Sequence, residues 1–351
     1  MTPERPLRDP RSGRFRNALP VRQPNPFAVL RALFTERFVT APEQPVPIER
    51  RARADFAVAP AHGVRVTWLG HATLLIEVEG VRVLTDPVWA ERASISQAFG
   101  PRRFFPPPLA LDALPALDAV LLTHDHYDHL DKATIRTLAS RGLPFIAPTG
   151  MTALLAGWGV PEAQVTERSW WEQVQLQHVT VTLTPARHFS GRSALFTDRD
   201  RRLWCGYALT GRERRVYYAG DSSLAPEFAV VGERLGPFDI SMFEIGAYSH
   251  LWRDVHMGPE QAVRAHRMSR GGLMLPIHWG TFDLALHGWT EPAERVMAAA
   301  EREGVSLAMP RPGAMVDPLL PPPLERWWPT LPWRSAEEYP VVSSGVEGLF
   351  P

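Results

Sequence analysis

Apolar positions change their rhythm near residue 64. From there 64–69 (VRVTWL), Thr73–Val78 and Val81–Thr85 form short runs rich in β-branched residues, and the Glu79-Gly80 pair between the last two marks a tight hairpin. The uninterrupted apolar run 118–123 (DAVLLT) predicts a strand buried on both faces. Asp131 stands where a helix cap is wanted, ahead of a helix running to about residue 141. Further strands are predicted at 144–147, Val179–Thr184, 215–219 and 273–277. One helix starts near Pro259, where proline suits the first helical position, and another covers Glu291–Glu303. Runs of strands with interspersed helices predict sheets packed on each other with helices outside. No internal repeat is apparent.

The two ends follow other rules. Residues 1–60 hold 11 arginines against six acidic residues, a net of +5, so the remainder carries −5. Ten prolines in the same stretch predict an arm that wraps the body or stays mobile, not a packed domain. Within it, 26–38 (PFAVLRALFTERF) reads as a helix with Phe27, Leu30, Ala32, Leu33 and Phe34 on an apolar face beside Arg31 and Arg37. Packing on the domain is the plainer reading of that face, and contact with lipid the sharper one. After Pro318 come seven prolines in 33 residues, yet Trp327, Trp328 and Trp333 predict a docked tail with buried indoles. The expected organisation is an arm at 1–60, a body at 61–318 and a tail at 319–351.

Composition narrows the function. The 351 residues balance 38 Lys+Arg against 38 Asp+Glu, and 45% are hydrophobic, enough for a sizeable core. Zero net charge argues against a nucleic-acid partner. The single cysteine, Cys205, excludes an internal disulfide framework and a cysteine-rich zinc module. No apolar run approaches the roughly 18 residues of a membrane helix, and the arginines near the start are not followed by the apolar stretch of a secretory signal. A cytoplasmic protein is expected, at most peripherally associated with membrane.

The chemistry gathers at 123–131 (THDHYDHLD). His124, His126, Asp128 and His129 form H-x-H-x-D-H at the end of an apolar strand, where alternate side chains point the same way. Imidazole and carboxylate without thiolate suit Zn²⁺, with Fe or Mn as alternatives. Two ions need more ligands, and His188, Asp221 and His278 each follow an apolar strand. A carboxylate bridges two cations readily, which makes Asp221 the natural bridge. His256, ahead of Pro259, has the position of a helix cap.

These residues lie in a longer pattern: WLGHAT at 68–73, LTDP at 84–87, GPRRF at 100–104, SWWE at 169–172, TPARH at 184–188, AGD at 219–221, IGAY at 245–248 and IHWGTF at 277–282. With the H-x-H-x-D-H loop, and SGRFRN at 12–17, the chain resembles the metallo-β-lactamase superfamily over about residues 10–316. Within it, the resemblance is to the branch of N-acyl-phosphatidylethanolamine-hydrolysing phospholipase D, and more distantly to ascorbate-6-phosphate lactonase. It implies an α+β, four-layer αββα sandwich. It implies two Zn²⁺ per chain, one on His124, His126, His188 and Asp221, the other on Asp128, His129, Asp221 and His278. Asp86 would support the ligand loop, with His71 a structural or supporting histidine. Tyr127 and His256 would lie near the substrate, and Asp221 and His256 would serve catalysis. Asp125 stands where the phospholipases have asparagine, and 249–255 diverges.

The implied activity is hydrolysis by a metal-bridging hydroxide, on the phosphodiester of an N-acyl phosphatidylethanolamine-like lipid. The alternative is a lactonase or phosphoesterase of a small phosphorylated metabolite. A lipid enzyme should show an apolar groove beside the metals, and a metabolite enzyme a small closed basic pocket. The partners expected are a lipid or small phosphoester substrate and a membrane surface touched by the arm, with room for a homodimer.

Overall fold

The computed structural model describes residues 4–22, 25–36, 38–195 and 197–346. In chain order it opens with a two-strand hairpin, β1 (Leu7–Arg8) and β2 (Phe15–Arg16), and a helix α1 (Pro26–Thr35). The body follows with β3 (Val64–Gly70), β4 (Thr73–Val78), β5 (Val81–Thr85), β6 (Ala119–Leu121), α2 (Lys132–Ser140), β7 (Phe145–Pro148), α3 (Met151–Ala156) and β8 (Val165–Arg168). Then come β9 (Gln173–Leu176), β10 (Val179–Thr184), β11 (Gly206–Thr210), β12 (Arg215–Tyr218), α4 (Glu227–Leu235), β13 (Phe238–Glu244), α5 (Pro259–Met268), β14 (Gly271–Ile277), α6 (Glu291–Glu303), β15 (Ser306–Leu307) and β16 (Met315–Val316).

These strands make two seven-stranded sheets, ordered β16-β3-β4-β5-β6-β7-β8 and β15-β14-β13-β12-β11-β10-β9. Each is antiparallel in one half and parallel in the other: β5 to β8 run parallel in the first sheet and β12 to β15 in the second. Alternation along β4 shows how the layers form. Leu74, Ile76 and Val78 share an inter-sheet core with Val181, Leu183, Leu209 and Val216. Leu75 turns the other way and clusters with Ile135 and Leu138 of α2 and Leu155 of α3. On the far side α4, α5 and α6 pack together over β13 to β15. The result is the expected helix–sheet–sheet–helix sandwich.

Local differences have local causes. The 118–123 run is a strand only over Ala119–Leu121, because the backbone leaves the ladder to begin the ligand loop. The strand β13 escapes the apolar pattern because Asp239 and Ser241 interrupt it. Helix α1 ends at Thr35, short of residue 38, with the Asn25 side chain accepting from the Phe27 N–H at its start. Arg37 lies outside the described residues, as does the Leu33 side chain. Only part of the apolar face of α1 packs: Ala32 is buried, whereas Phe27, Leu30 and Phe34 are 82%, 53% and 78% exposed. In the tail Trp327 and Trp328 are buried against Trp279, but Trp333 is 39% exposed, against expectation.

Candidate metal centre

The parallel halves of the two sheets bring their C-terminal strand ends together, and the chemistry sits on the loops that leave them. Asp86 follows β5, the 123–131 loop follows β6, Asp221 follows β12, Glu244 ends β13 and His278 follows β14. His188 arrives from the antiparallel side, beyond β10, and His71 from the β3–β4 turn. Every ligand residue expected from the sequence therefore reaches one place.

The donor atoms converge closely. His126 Nδ1 lies 2.9 Å from His124 Nε2 and 3.2 Å from His188 Nε2. Beside this trio, His278 Nε2 lies 3.1 Å from His129 Nε2 and 3.3 Å from Asp128 Oδ2. Asp221 Oδ2 stands between the two groups, 3.0 Å from His129 Nε2, 3.2 Å from His278 Nε2 and 3.8 Å from both His124 Nε2 and His188 Nε2. That is the place of a bridging carboxylate.

The outer faces of the rings explain why Nε2 points inward. His124 Nδ1 lies 2.9 Å from Thr123 Oγ1, whose own hydroxyl donates to Asp86 Oδ2 over 2.6 Å. His129 Nδ1 pairs with the same Asp86 oxygen at 2.8 Å, and His188 Nδ1 with the Val255 carbonyl at 3.0 Å. Each of these partners accepts an N–H from Nδ1, which turns Nε2 of each ring toward the centre. Asp86 also accepts the Thr123 N–H and the Tyr218 hydroxyl, at 2.8 and 2.6 Å. His71, read as structural or supporting, places Nε2 2.9 Å from Asp128 Oδ2.

Electrostatics agree with a cation site. Burial holds His124 and His188 well below the ordinary histidine range and pushes His126 down to about 4, so these rings are neutral lone-pair donors. Burial, with His278 alongside, takes His71 down to about 3. Burial opposes the charged forms of His129 and His278 too, but Asp221 and Asp128 together, with the hydrogen bonds to them, outweigh it, raising His129 well above its usual value and His278 to about 10. Asp221 is held well below the carboxylate range because His129 and His278 overcome its burial. Its Oδ2 and His126 Nε2 are buried without a hydrogen-bond partner. Buried polar atoms without partners cost about 1–3 kcal/mol each. A nitrogen–oxygen donor set with an orphaned carboxylate oxygen at its middle fits divalent cations.

His256 does not cap α5. Its Nδ1 pairs with Glu244 Oε2 at 2.6 Å and lies 3.9 Å from Asp221 Oδ2, while Gly258 occupies the cap position of the helix. Glu244 was not foreseen from the sequence. It is fully buried, and its other oxygen accepts the Ser222 N–H at 2.9 Å. Burial pushes its carboxyl up against the pull of His256. Tyr127 donates its hydroxyl to the Arg192 carbonyl at 2.8 Å, with the Arg192 guanidinium 3.9 Å over its ring. Asp125 faces away from the centre, where it pairs with Arg202 and accepts the Gly191 N–H at 2.8 Å.

Two clefts leave the centre past His126, Asp128 and Phe189. One, of about 340 Å³, is walled by Val21, Phe189, Ala247, Trp252, Val255 and Leu284, with Arg22 and Arg199 in its lining and His256 at its base. The other, of about 360 Å³, runs past Tyr127, Ile95 and Arg192.

Comparison with known proteins agrees with this architecture. Residues 81–279 match the family described as the beta-lactamase superfamily domain. An uncharacterised protein of Mycobacterium tuberculosis is 45% identical over 300 residues, 84% of this chain and 79% of that protein. N-acyl-phosphatidylethanolamine-hydrolyzing phospholipase D 1 of Caenorhabditis elegans is 38% identical over 247 residues, 67% of this chain and 69% of that protein. Among solved structures, the isothiocyanate hydrolase from Delia radicum gut bacteria superposes with a TM-score of 0.56 at 23% identity, covering 72% of this chain and 98% of that one, a likeness of fold. The chain belongs to the metallo-β-lactamase superfamily and is a metal-dependent hydrolase with phospholipase D-like relatives.

Proposed function

We propose that the chain is a dinuclear zinc phosphodiesterase that cleaves N-acyl phosphatidylethanolamine-like lipids in the manner of a phospholipase D. His124, His126 and His188 would hold one ion, Asp128, His129 and His278 the other, and Asp221 both. Bound there, the pair supplies Lewis acidity and an activated water at neutral pH. The chain's own residues do the rest. Asp221, central among the ligands, orients the attacking water and takes its proton. His256, held by Glu244, stands where it can hand a proton to the leaving alkoxide. Asp86, Thr123 and the Val255 carbonyl fix the tautomers of the ligand rings.

The observation that favours a lipid is the apolar-walled cleft that His256 helps to line. Its lining of Val21, Phe189, Trp252, Val255 and Leu284 suits acyl chains, and Arg22 and Arg199 offer charge to a phosphate. No helix among the described residues is long and apolar enough to cross a membrane. Lipid would then be met at a surface, for which the exposed Phe27, Leu30 and Phe34 of α1, with Arg31, are the natural contact. The test is zinc-loaded protein assayed on N-acyl phosphatidylethanolamine vesicles and on a soluble short-chain analogue. Replacing Phe27 and Phe34 by serine should reduce vesicle hydrolysis several-fold more than hydrolysis of the analogue. Activity on a soluble phosphorylated lactone, with none on either phosphodiester, would refute the lipid reading in favour of the lactonase.

A further inference from the structure

The N-terminal arm reaches the metal centre. Phe15 is buried and its N–H donates to the Asp200 carbonyl at 2.8 Å. Two residues on, Asn17 meets the backbone of His188 at both of its polar groups. Asn17 Nδ2 donates to the His188 carbonyl at 2.7 Å, and Asn17 Oδ1 accepts the His188 N–H at 3.1 Å. The Pro20 carbonyl accepts from Arg187 at 2.5 Å, and the Arg22 N–H donates to Asp254 at 2.9 Å. Asp254 in turn pairs with Arg187 at 3.1 Å, inside the protein. The loop carrying His188 and the loop carrying Val255, which holds His188 Nδ1, are thus laced together from outside by residues 17–22.

Four of the other ligand positions are held from closer by. His124, His126 and His129 sit on one short loop gripped through Thr123 and Asp86, and His278 follows directly on β14. His188 stands four residues past the end of β10, where no strand ladder holds its backbone. A carboxamide that pairs with both the N–H and the C=O of one residue fixes that residue's backbone much as a neighbouring strand would. The ring is then aimed by two contacts: Asn17 on the backbone and Val255 on Nδ1.

We infer that Asn17 is a positioning residue for the ion held by His124, His126 and His188, so that the arm completes the metal centre. The inference rests on the two-ion reading above. Outer partners of metal ligands typically alter affinity 10–100-fold when removed, and the effect here should fall on one ion of the two.

The experiment uses full-length, zinc-loaded protein titrated with a chromophoric chelator. Asn17→Ala should release one ion about 10–100-fold more readily than wild type and hold the other unchanged. Asn17→Asp keeps the acceptor for the His188 N–H but sets an oxygen against the His188 carbonyl, and should show the same one-ion loss. Arg14→Ala is the control on the same arm, since Arg14 bonds the Thr197 carbonyl, away from His188. In cobalt-substituted protein, the visible absorption of one ion should change and that of the other persist. Wild-type retention of both ions by Asn17→Ala overturns the inference. So does equal loss of both ions with a lowered melting temperature, which would make Asn17 a general support of the fold. A wild-type chain that takes up fewer than two ions would instead bring down the two-ion reading itself.

Discussion

Replacing Asp86 by asparagine exchanges one oxygen for an amide, yet the surroundings leave no good place for it. Asp86 is fully buried and accepts four donors: the Thr123 N–H on Oδ1, and the Thr123 hydroxyl, His129 Nδ1 and the Tyr218 hydroxyl on Oδ2. An asparagine oriented to keep the last three turns its NH₂ against the Thr123 N–H. The opposite orientation sets the NH₂ against His129 Nδ1 and reverses the tautomer that frees Nε2. The first is the milder outcome. It forfeits a hydrogen bond to a charged acceptor, about 1.5–3 kcal/mol, and strands a buried donor, about 1–3 kcal/mol. The expected destabilisation is roughly 3–5 kcal/mol, or about 4–7 °C in melting temperature for a chain of this size. Losing the carboxylate behind His129 should also weaken the ion on Asp128, His129 and His278 by 10–100-fold. Calorimetric melts in chelator read the first effect, and chelator competition reads the second. Tyr218→Phe, which removes only one donor, should cost about 1 kcal/mol and leave ion binding alone. An Asp86→Asn chain that melts with wild type in chelator and binds both ions equally well would refute this account.

Two further outcomes follow from the same geometry. His256→Ala should lower turnover by about 10²–10⁴-fold with ion content unchanged by elemental analysis, and Glu244→Gln should fall between it and wild type; loss of an ion in either variant would make that pair part of the metal site. Without ions, the proton on His278 stabilises the fold fully below the ordinary histidine value of 6.5 and ceases to do so as pH rises through about 10. Ion-free protein should therefore melt lower as pH climbs over that window, while loading at pH 7 should release protons, measurable by calorimetry in buffers of different ionisation enthalpy.

The site was largely legible because its chemistry is local in sequence or marked by strands. Four candidate ligand residues fall within 124–129, and His188, Asp221 and His278 each follow an apolar run. The sandwich was legible for the same reason, through the period-two runs at Thr73–Val78 and Val81–Thr85 and the helices at Pro259 and Glu291–Glu303. Glu244 was hidden because Asp239 and Ser241 break the pattern of β13, so the residue does not read as a strand end. Asn17 was hidden more deeply: it closes the SGRFRN stretch at 12–17, but nothing in that stretch assigns the asparagine a partner until the arm's path is seen. The unpacked face of α1 could not be read either, because amphipathic spacing says that a face is apolar and not what covers it.

The ligands come from the ends of β6, β10, β12 and β14, which belong to two different sheets. No fragment holding one sheet alone can assemble the set, so ion capture must follow the docking of sheet on sheet, after the slow long-range pairings of folding. An ion bound to the finished chain and not to the open one stabilises it by mass action. Metal bound there would have to give up the ligands of one sheet before the sheets could part, which would turn the centre into a clasp and make the lifetime of the fold depend on how fast metal lets go.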